Sequence, residues 1–179
     1  MTKKTDETNN SSDFERLWAP WRMKYIDKIG VSGDEGCIFC EKPREDNDEK
    51  NFIVFRGITG YMILNVFPYN NGHLLVVPYC HKSGLEGLDS ETRLELMNLS
   101  ALAVDAIKKT MRPDGFNLGM NIGRSAGAGI ADHVHLHVVP RWNGDTNFMP
   151  VVGCTKVISE SLEDNYRKLR DAINKTITK

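Results

Sequence analysis

Residues 132–141 read DHVHLHVVPR and hold three of the chain's five histidines, His133, His135 and His137, spaced by single apolar residues. Successive side chains of a β-strand point to opposite faces. The spacing therefore predicts three imidazoles on one exposed strand face and Val134, Leu136 and Val138 directed into a core. Alternate Cα atoms of a strand stand about 6.5 to 7 Å apart, so each ring can engage a different atom of one ligand. Three imidazolium charges at that distance repel, so the group should titrate as a coupled set with at least one ring neutral at pH 7. A neutral imidazole is a competent nucleophile, and its tautomer is set by what its other nitrogen bonds. Three neutral rings in a row also suit a zinc ion, and histidines on an exposed strand can be simple polar surface. Spacing alone leaves these readings open.

The neighbouring segment GRSAGAG, residues 123–129, narrows them. Glycine-rich backbone can turn several amides toward a phosphate where side chains would obstruct, although many such loops are only hairpins. With Arg124 and Ser125 inside the loop and Arg141 after the histidines, the combination favours phosphoryl or nucleotidyl transfer. The chain carries no aspartate-rich magnesium motif and no lysine-bearing phosphate loop. Substrate charge would then fall to histidines, loop amides and arginines.

A second cluster is CIFC, Cys37 and Cys40. Two thiolates at this spacing are half of a tetrahedral zinc site, a redox pair, or two buried apolar thiols. His81 and His133 are the histidines available to complete a metal set, with Cys80 beside His81 as an alternative. His73 and Cys154 are assigned to packing or the periphery.

Positioning these groups requires a sheet. Three β-like runs, NFIVFR, YMILNVF and GHLLVVP, are separated by turn chemistry such as PYNN and predict an antiparallel meander. Asp89 and Ser90 can cap a helix ended by Pro113, in which Leu94, Met97, Ala101, Val104 and Ile107 recur as an apolar face for the sheet. FNLGMNIG alternates Phe116, Leu118, Met120 and Ile122 against Asn117, Gly119 and Asn121, as a strand with one buried face does. EKPREDNDEK reads as a charged surface loop and residues 159–177 as a charged terminal helix. The expected class is α+β, an antiparallel sheet with a long helix packed on one face.

Composition bounds the rest. The chain has 179 residues, 23 basic against 24 acidic, for a net charge of −1. That length suits one domain, expected over residues 14–179 after a polar tail of residues 1–13, with Trp18 and Trp21 as early anchors. Near-neutral charge argues against a nucleic acid partner and for a small molecule. No apolar run approaches a membrane span and no signal core opens the chain, so a cytoplasmic protein with free or metal-bound thiols is expected.

The segment HVHLHVV resembles the signature of the histidine triad superfamily of nucleotide hydrolases and transferases. GCIFC, NGHLLVVPYCH and FNLGMNIGRSAGAG occur in that family's order, so the resemblance spans most of the chain. LWAPWRMKYI and VVPRWNGDTNFMPVVGCTKV look most like the bacterial group that includes diadenosine tetraphosphate phosphorylases. Carried onto matching positions, the resemblance makes His135 the nucleophile that forms a nucleotidyl-histidine intermediate, with His137 contacting phosphate. It gives Asn121 a place at the scissile phosphate, Asn65 one at the ribose hydroxyls, and the backbone at Gly127, Gly129 and Ile130 a role in holding phosphate. Relatives often carry Gln followed by Ser or Thr where this chain has Gly129 and Ile130. Ser125 is the candidate replacement for that missing donor.

The family, and the related galactose-1-phosphate uridylyltransferases, also imply a structural zinc on Cys37, Cys40, His81 and His133. Metal there would keep His133 unprotonated and tie the amino-terminal segment to the active strand. The resemblance further implies a homodimer whose sites are completed by the partner's carboxy-terminal segment. The function expected is cleavage of dinucleoside polyphosphates such as diadenosine tetraphosphate. Inorganic phosphate as acceptor gives ADP and ATP; water as acceptor makes a hydrolase, acting also on nucleoside phosphoramidates. A nucleotide-binding regulatory protein and a three-histidine zinc enzyme are the rivals from other classes.

Overall fold

The computed structural model describes residues 36–153 and 155–178. The expected polar tail, the anchors Trp18 and Trp21, and Cys154 lie outside the described residues. Among those described, five antiparallel strands form one sheet: β1 (Ile53–Arg56), β2 (Gly60–Leu64), β3 (Leu74–Pro78), β4 (Gly115–Met120) and β5 (Leu136–Arg141). Their spatial order is β1-β2-β3-β5-β4. The three amino-terminal strands make the expected meander. The long helix α3 (Ser90–Met111) then carries the chain across to β4 and β5 at the other side of the sheet.

Strand parity sorts the core. Met62, Leu64, Leu74 and Val76 meet α3 and the terminal helix α5 (Leu162–Ile177), which follows the short α4 (Met149–Gly153), on one face, together with Val134, Leu136 and Val138. Tyr61, Ile63, Leu75 and Val77 face the other way, onto Cys37, Phe39 and Cys40 of the segment that enters α1 (Ile38–Glu41). β2 and β3 are therefore buried on both faces. The charged run after the cysteine pair is not an open loop: it follows from the last residue of α1 into a 3-10 turn Lys42–Arg44 and α2 (Asp48–Asn51). The Asn47 side chain accepts from the Lys50 amide to start α2, and Asp48 pairs with Arg56 of β1 at 2.7 Å.

The expected start of α3 holds, with Asp89 accepting from the Thr92 amide at 2.7 Å. Its end is marked by Arg112 at φ 49°, directly before Pro113. The buried face agrees with the expected one at Ile107 and, in part, at Val104, and differs elsewhere. Leu96, Leu99, Ser100, Ala103, Ala106 and Ile107 face the sheet, while Leu94 and Met97 are 63% and 56% exposed and Ala101 is also exposed. The helix carries two apolar stripes, and the buried one includes the small residues Ser100, Ala103 and Ala106. Ser100 satisfies its hydroxyl by donating to the Leu96 carbonyl at 2.6 Å. α5 is anchored through Tyr166, Leu169 and Ile173 at i, i+3, i+7 and capped by Ser161.

β4 also departs from expectation. It lies at the sheet edge, so Leu118 is 45% exposed while Phe116 and Met120 are only partly covered. The helix register is tested by stability. Leu96→Ala is expected to cost about 2–4 kcal/mol in urea unfolding, and Leu94→Ala to stay within about 0.5 kcal/mol; equal losses would contradict the assigned face.

Candidate functional site

The three alternate histidines do not lie on a regular strand. β5 begins at Leu136, so only His137 is inside it. Beyond the pair Val76 and Leu136, the next residue of β3 that could continue the ladder is Pro78, which has no amide to give. Its carbonyl instead accepts from Nε2 of His133 at 2.9 Å, and the Val134 amide turns to the Lys82 carbonyl. The faces still alternate as expected, because Val134, Leu136 and Val138 join the helix-side core. The rings, however, are not an exposed face: His133 is fully buried and His135 is 5% exposed, both against Phe39.

His133 closes a four-residue corner. Its Nδ1 lies 3.4 Å from Cys37 Sγ and 3.5 Å from Cys40 Sγ, and His81 Nδ1 lies 3.3 Å from Cys40 Sγ. All four donor atoms fall within 4.8 Å of one another. A tetrahedral zinc with bonds of about 2.3 Å to sulfur and 2.0–2.1 Å to nitrogen spaces S and N about 3.5 Å apart, so the corner fits that ion. Donation from His133 Nε2 to Pro78 leaves its Nδ1 lone pair directed at the thiols, the tautomer a metal needs. Cys80 is exposed and stands outside this corner. Tyr61 fastens the corner to the sheet by donating its hydroxyl to the Phe39 carbonyl at 2.8 Å.

His135 and His137 carry opposite tautomers. His135 Nδ1 lies 2.8 Å from the His133 carbonyl, which can only accept, so Nδ1 bears the proton and Nε2 the lone pair. Burial holds its pKa below the ordinary value, and the bond to the His133 carbonyl works weakly the other way. The ring is thus neutral at pH 7 with a bare nitrogen. His137, whose ring centroid is 4.9 Å away, is set by His73. The Tyr69 amide donates to His73 Nδ1 at 3.0 Å, so His73 carries its proton on Nε2 and passes it toward His137 Nδ1 at 2.9 Å. His137 then bears its own proton on Nε2. Burial, with the neighbouring histidines, pushes His73 down to about 3, so His73 is uncharged at pH 7.

His73 is therefore not a packing residue. The sequence offered a weak signal for it, the position directly before β3, where a side chain reaches the mouth of the neighbouring strand. Asn65 lies beside it: Nδ2 is 3.4 Å from His73 Nδ1, and Oδ1 accepts from the Phe67 amide at 2.9 Å.

The glycine-rich loop runs from β4 to the histidines. Gly123 and Gly127 take φ of 81° and 87°, the left-handed region that glycine enters without strain. Between them Arg124, Ser125 and Ala126 form a single 3-10 turn. The amides of Ala126, Gly127 and Ala128 bond back into the loop, and Gly129 and Ile130, expected to hold phosphate, line a small recess with Cys37 and His81 rather than the cleft beside His137. Asn121 steadies the loop by donating to the Gly127 carbonyl at 3.4 Å. Asn121 and His137 together form the inner end of an open cleft of about 430 Å³ that extends along β5 to Arg141.

Comparison with known proteins follows this geometry. Residues 47–144 match the model of the HIT domain family. The AP-4-A phosphorylase of Mycobacterium tuberculosis is 45% identical over 161 residues, covering 87% of this chain and 82% of that protein. Among solved structures, a Zn-bound histidine triad family protein from Mycobacterium smegmatis superposes with a TM-score of 0.64 at 26% identity, covering 82% of this chain and 99% of the other. A histidine triad nucleotide-binding protein from Sulfolobus tokodaii gives 0.64 at 29% identity, over 78% and 93% of the two chains.

The neutral state of His73 has a measurable consequence. Its ordinary value is 6.5 and its folded value about 3, so between these the unfolded chain takes up a proton that the folded chain refuses. This contribution to stability is complete above about pH 6.5 and is lost as pH falls toward 3. The urea midpoint of His73→Gln is expected to fall less steeply than that of the parent between pH 7 and pH 4.5; parallel slopes would contradict the assignment.

Proposed function

The chain belongs to the histidine triad family, and from that premise we propose that it is a cytoplasmic nucleotidyl transferase that cleaves dinucleoside polyphosphates, with diadenosine tetraphosphate as substrate and inorganic phosphate as acceptor. The observation that carries this reading is the pair of opposite tautomers. A bare Nε2 on His135 stands beside a protonated Nε2 on His137, as one nucleophile and one donor require.

In the first step the His135 Nε2 lone pair attacks the adenylyl phosphorus. The N–P bond forms while the P–O bond to the leaving nucleotide breaks, and its electrons depart with ATP. His137 donates to a phosphoryl oxygen, with Asn121 and Ser125 at the loop and Asn65 for the ribose. The adduct's imidazolium is stabilised by its Nδ1–H on the His133 carbonyl. In the second step a phosphate oxygen attacks the same phosphorus, the N–P electrons return to Nε2, and ADP leaves. Phosphate rather than water is favoured by the likeness to the M. tuberculosis phosphorylase over most of both chains.

The metal corner is read as a structural zinc site of Cys37, Cys40, His81 and His133. Its chemistry would be to hold His133 unprotonated and rigid, and so to fix the carbonyl that orients His135. A homodimer is favoured by the open edge of β4, where Leu118 and Ile122 are 45% and 46% exposed.

Two experiments test this. Diadenosine tetraphosphate incubated with labelled phosphate should yield labelled ADP plus ATP, and His135→Ala should lose roughly 10⁴-fold or more of kcat. AMP plus ATP regardless of phosphate would make the enzyme a hydrolase, and turnover retained by His135→Ala would overturn the assignment of the nucleophile. Metal analysis of purified variants should show zinc lost in Cys37→Ser and His81→Ala but retained in His137→Ala. Loss in His137→Ala would favour a zinc site built on the triad itself.

A further inference from the structure

The cleft that starts at His137 and Asn121 continues past the chemistry. His137, Val139 and Arg141 follow one another on the same face of β5, which places the Arg141 Cα about 13 Å from that of His137. Opposite His137 on β4 stands Gly119, where an added Cβ would meet nothing within 4 Å, so the passage between the two ends is open. The far end is lined by Arg141 and Lys156, with Asn117 and Asp145 between them.

Both cations are held in place, Arg141 by an ion pair with Asp145, so that the two cations and the one carboxylate leave a net charge of +1. Asp145 accepts from Arg141 Nε at 2.6 Å and Nη2 at 3.0 Å, from Asn70 Nδ2 at 2.7 Å and from the Trp142 amide at 3.3 Å. Four donors thus share one carboxylate, and the Arg141 contact foremost among them holds it well below the usual carboxylate range. Arg141 Nη1 donates one further bond to Asn117 Oδ1 at 2.8 Å. A guanidinium has five N–H groups, so one on each terminal nitrogen remains for a ligand. Lys156 donates to the Asp145 backbone carbonyl and keeps two. Arg141 is half-exposed, which lets those groups reach into the cleft.

We infer that this cleft is the subsite for the polyphosphate of the leaving nucleotide, with Arg141 and Lys156 binding the phosphates remote from the one attacked. The inference rests on the proposed transfer reaction. In-line displacement sends the leaving oxygen away from the attacking nitrogen, and the cleft opens from His137 rather than from His135. A lone phosphoryl group at His137 does not span the separation to Arg141, whereas a chain of several phosphates does. After departure of the first product the same passage delivers the acceptor, because the adduct can be attacked only from the side the leaving group vacated. The net positive charge that Arg141 and Lys156 leave after pairing with Asp145 raises the local concentration of phosphate and not that of water.

The first test is equilibrium binding of inorganic tripolyphosphate and of inorganic phosphate to the full chain by calorimetry. The wild-type protein should bind tripolyphosphate at least tenfold more tightly than phosphate. Lys156→Gln should lose five- to tenfold of the tripolyphosphate affinity, and Lys156→Arg should stay within about twofold of wild type. Unchanged affinity in Lys156→Gln, or an equal loss for both anions, overturns the subsite. The second test compares kcat/KM for diadenosine tetraphosphate with that for adenosine 5′-phosphoramidate, whose leaving group carries no phosphate. In Arg141→Gln the ratio of the two should fall about tenfold; a parallel fall in both would assign Arg141 to holding the loop and overturn its role here. If the wild-type protein turns over neither nucleotide, the proposed reaction fails while the tripolyphosphate measurement still decides the cleft.

Discussion

The site depends on one short hydrogen bond, from His135 Nδ1 to the carbonyl two residues before it. A ring bonded to its own main chain in this way cannot choose its tautomer or turn freely. The carbonyl is itself held, because His133 is buried, bonded through Nε2 to Pro78 and placed against two thiols and a second histidine through Nδ1. What fastens the amino-terminal cysteines to the sheet therefore also aims the nitrogen that the chemistry needs. Pro78 is the common element. Lacking an amide, it ends the β3–β5 ladder and leaves a carbonyl that an imidazole takes up.

Three histidines buried together, His73, His133 and His135, would be ruinous as cations. They are tolerable as a neutral set in which each proton has an acceptor, since a buried polar group costs little once it is bonded. The chain Tyr69, His73, His137 is such a set, oriented from a backbone amide at one end. Its direction forces His137 to present a proton where His135 presents a lone pair. Two residues of one type, two positions apart, acquire different chemistry from partners on different strands.

The rest of the fold reads as support for this corner. The sheet is buried on both faces at its centre, under α3 and α5 on one side and the cysteine segment on the other, while β4 is left as an open edge. The cleft lies over the β4–β5 pair, where Gly119 opposite His137 has no side chain to fill it. The open edge explains why Leu118, apolar and in phase with Phe116, is not covered within one chain.

Much of this was legible in the order of residue types. Period-two alternation assigned Val134, Leu136 and Val138 to the core even where no ladder forms, because the parity of extended backbone does not depend on its hydrogen bonds. Turn residues, the Asp89 cap and Pro113 bounded the meander and the long helix. The cysteine pair left several readings open, and the family resemblance completed it with His81 and His133 as a set whose members the structure brings within 4.8 Å. The helix face was only partly legible, since α3 has two apolar stripes and only packing in the folded core buries the one that holds Leu96, Leu99 and Ala103. Nor was the role of His73, whose meaning lies in a partner 64 residues away. Sequence by itself determined which chemical groups are present and which side of the backbone each takes, because these follow from local covalent geometry. Tertiary structure alone decided which nitrogen holds a proton, which histidines are buried and where the cleft opens, because each is settled by atoms that the chain brings together only on folding.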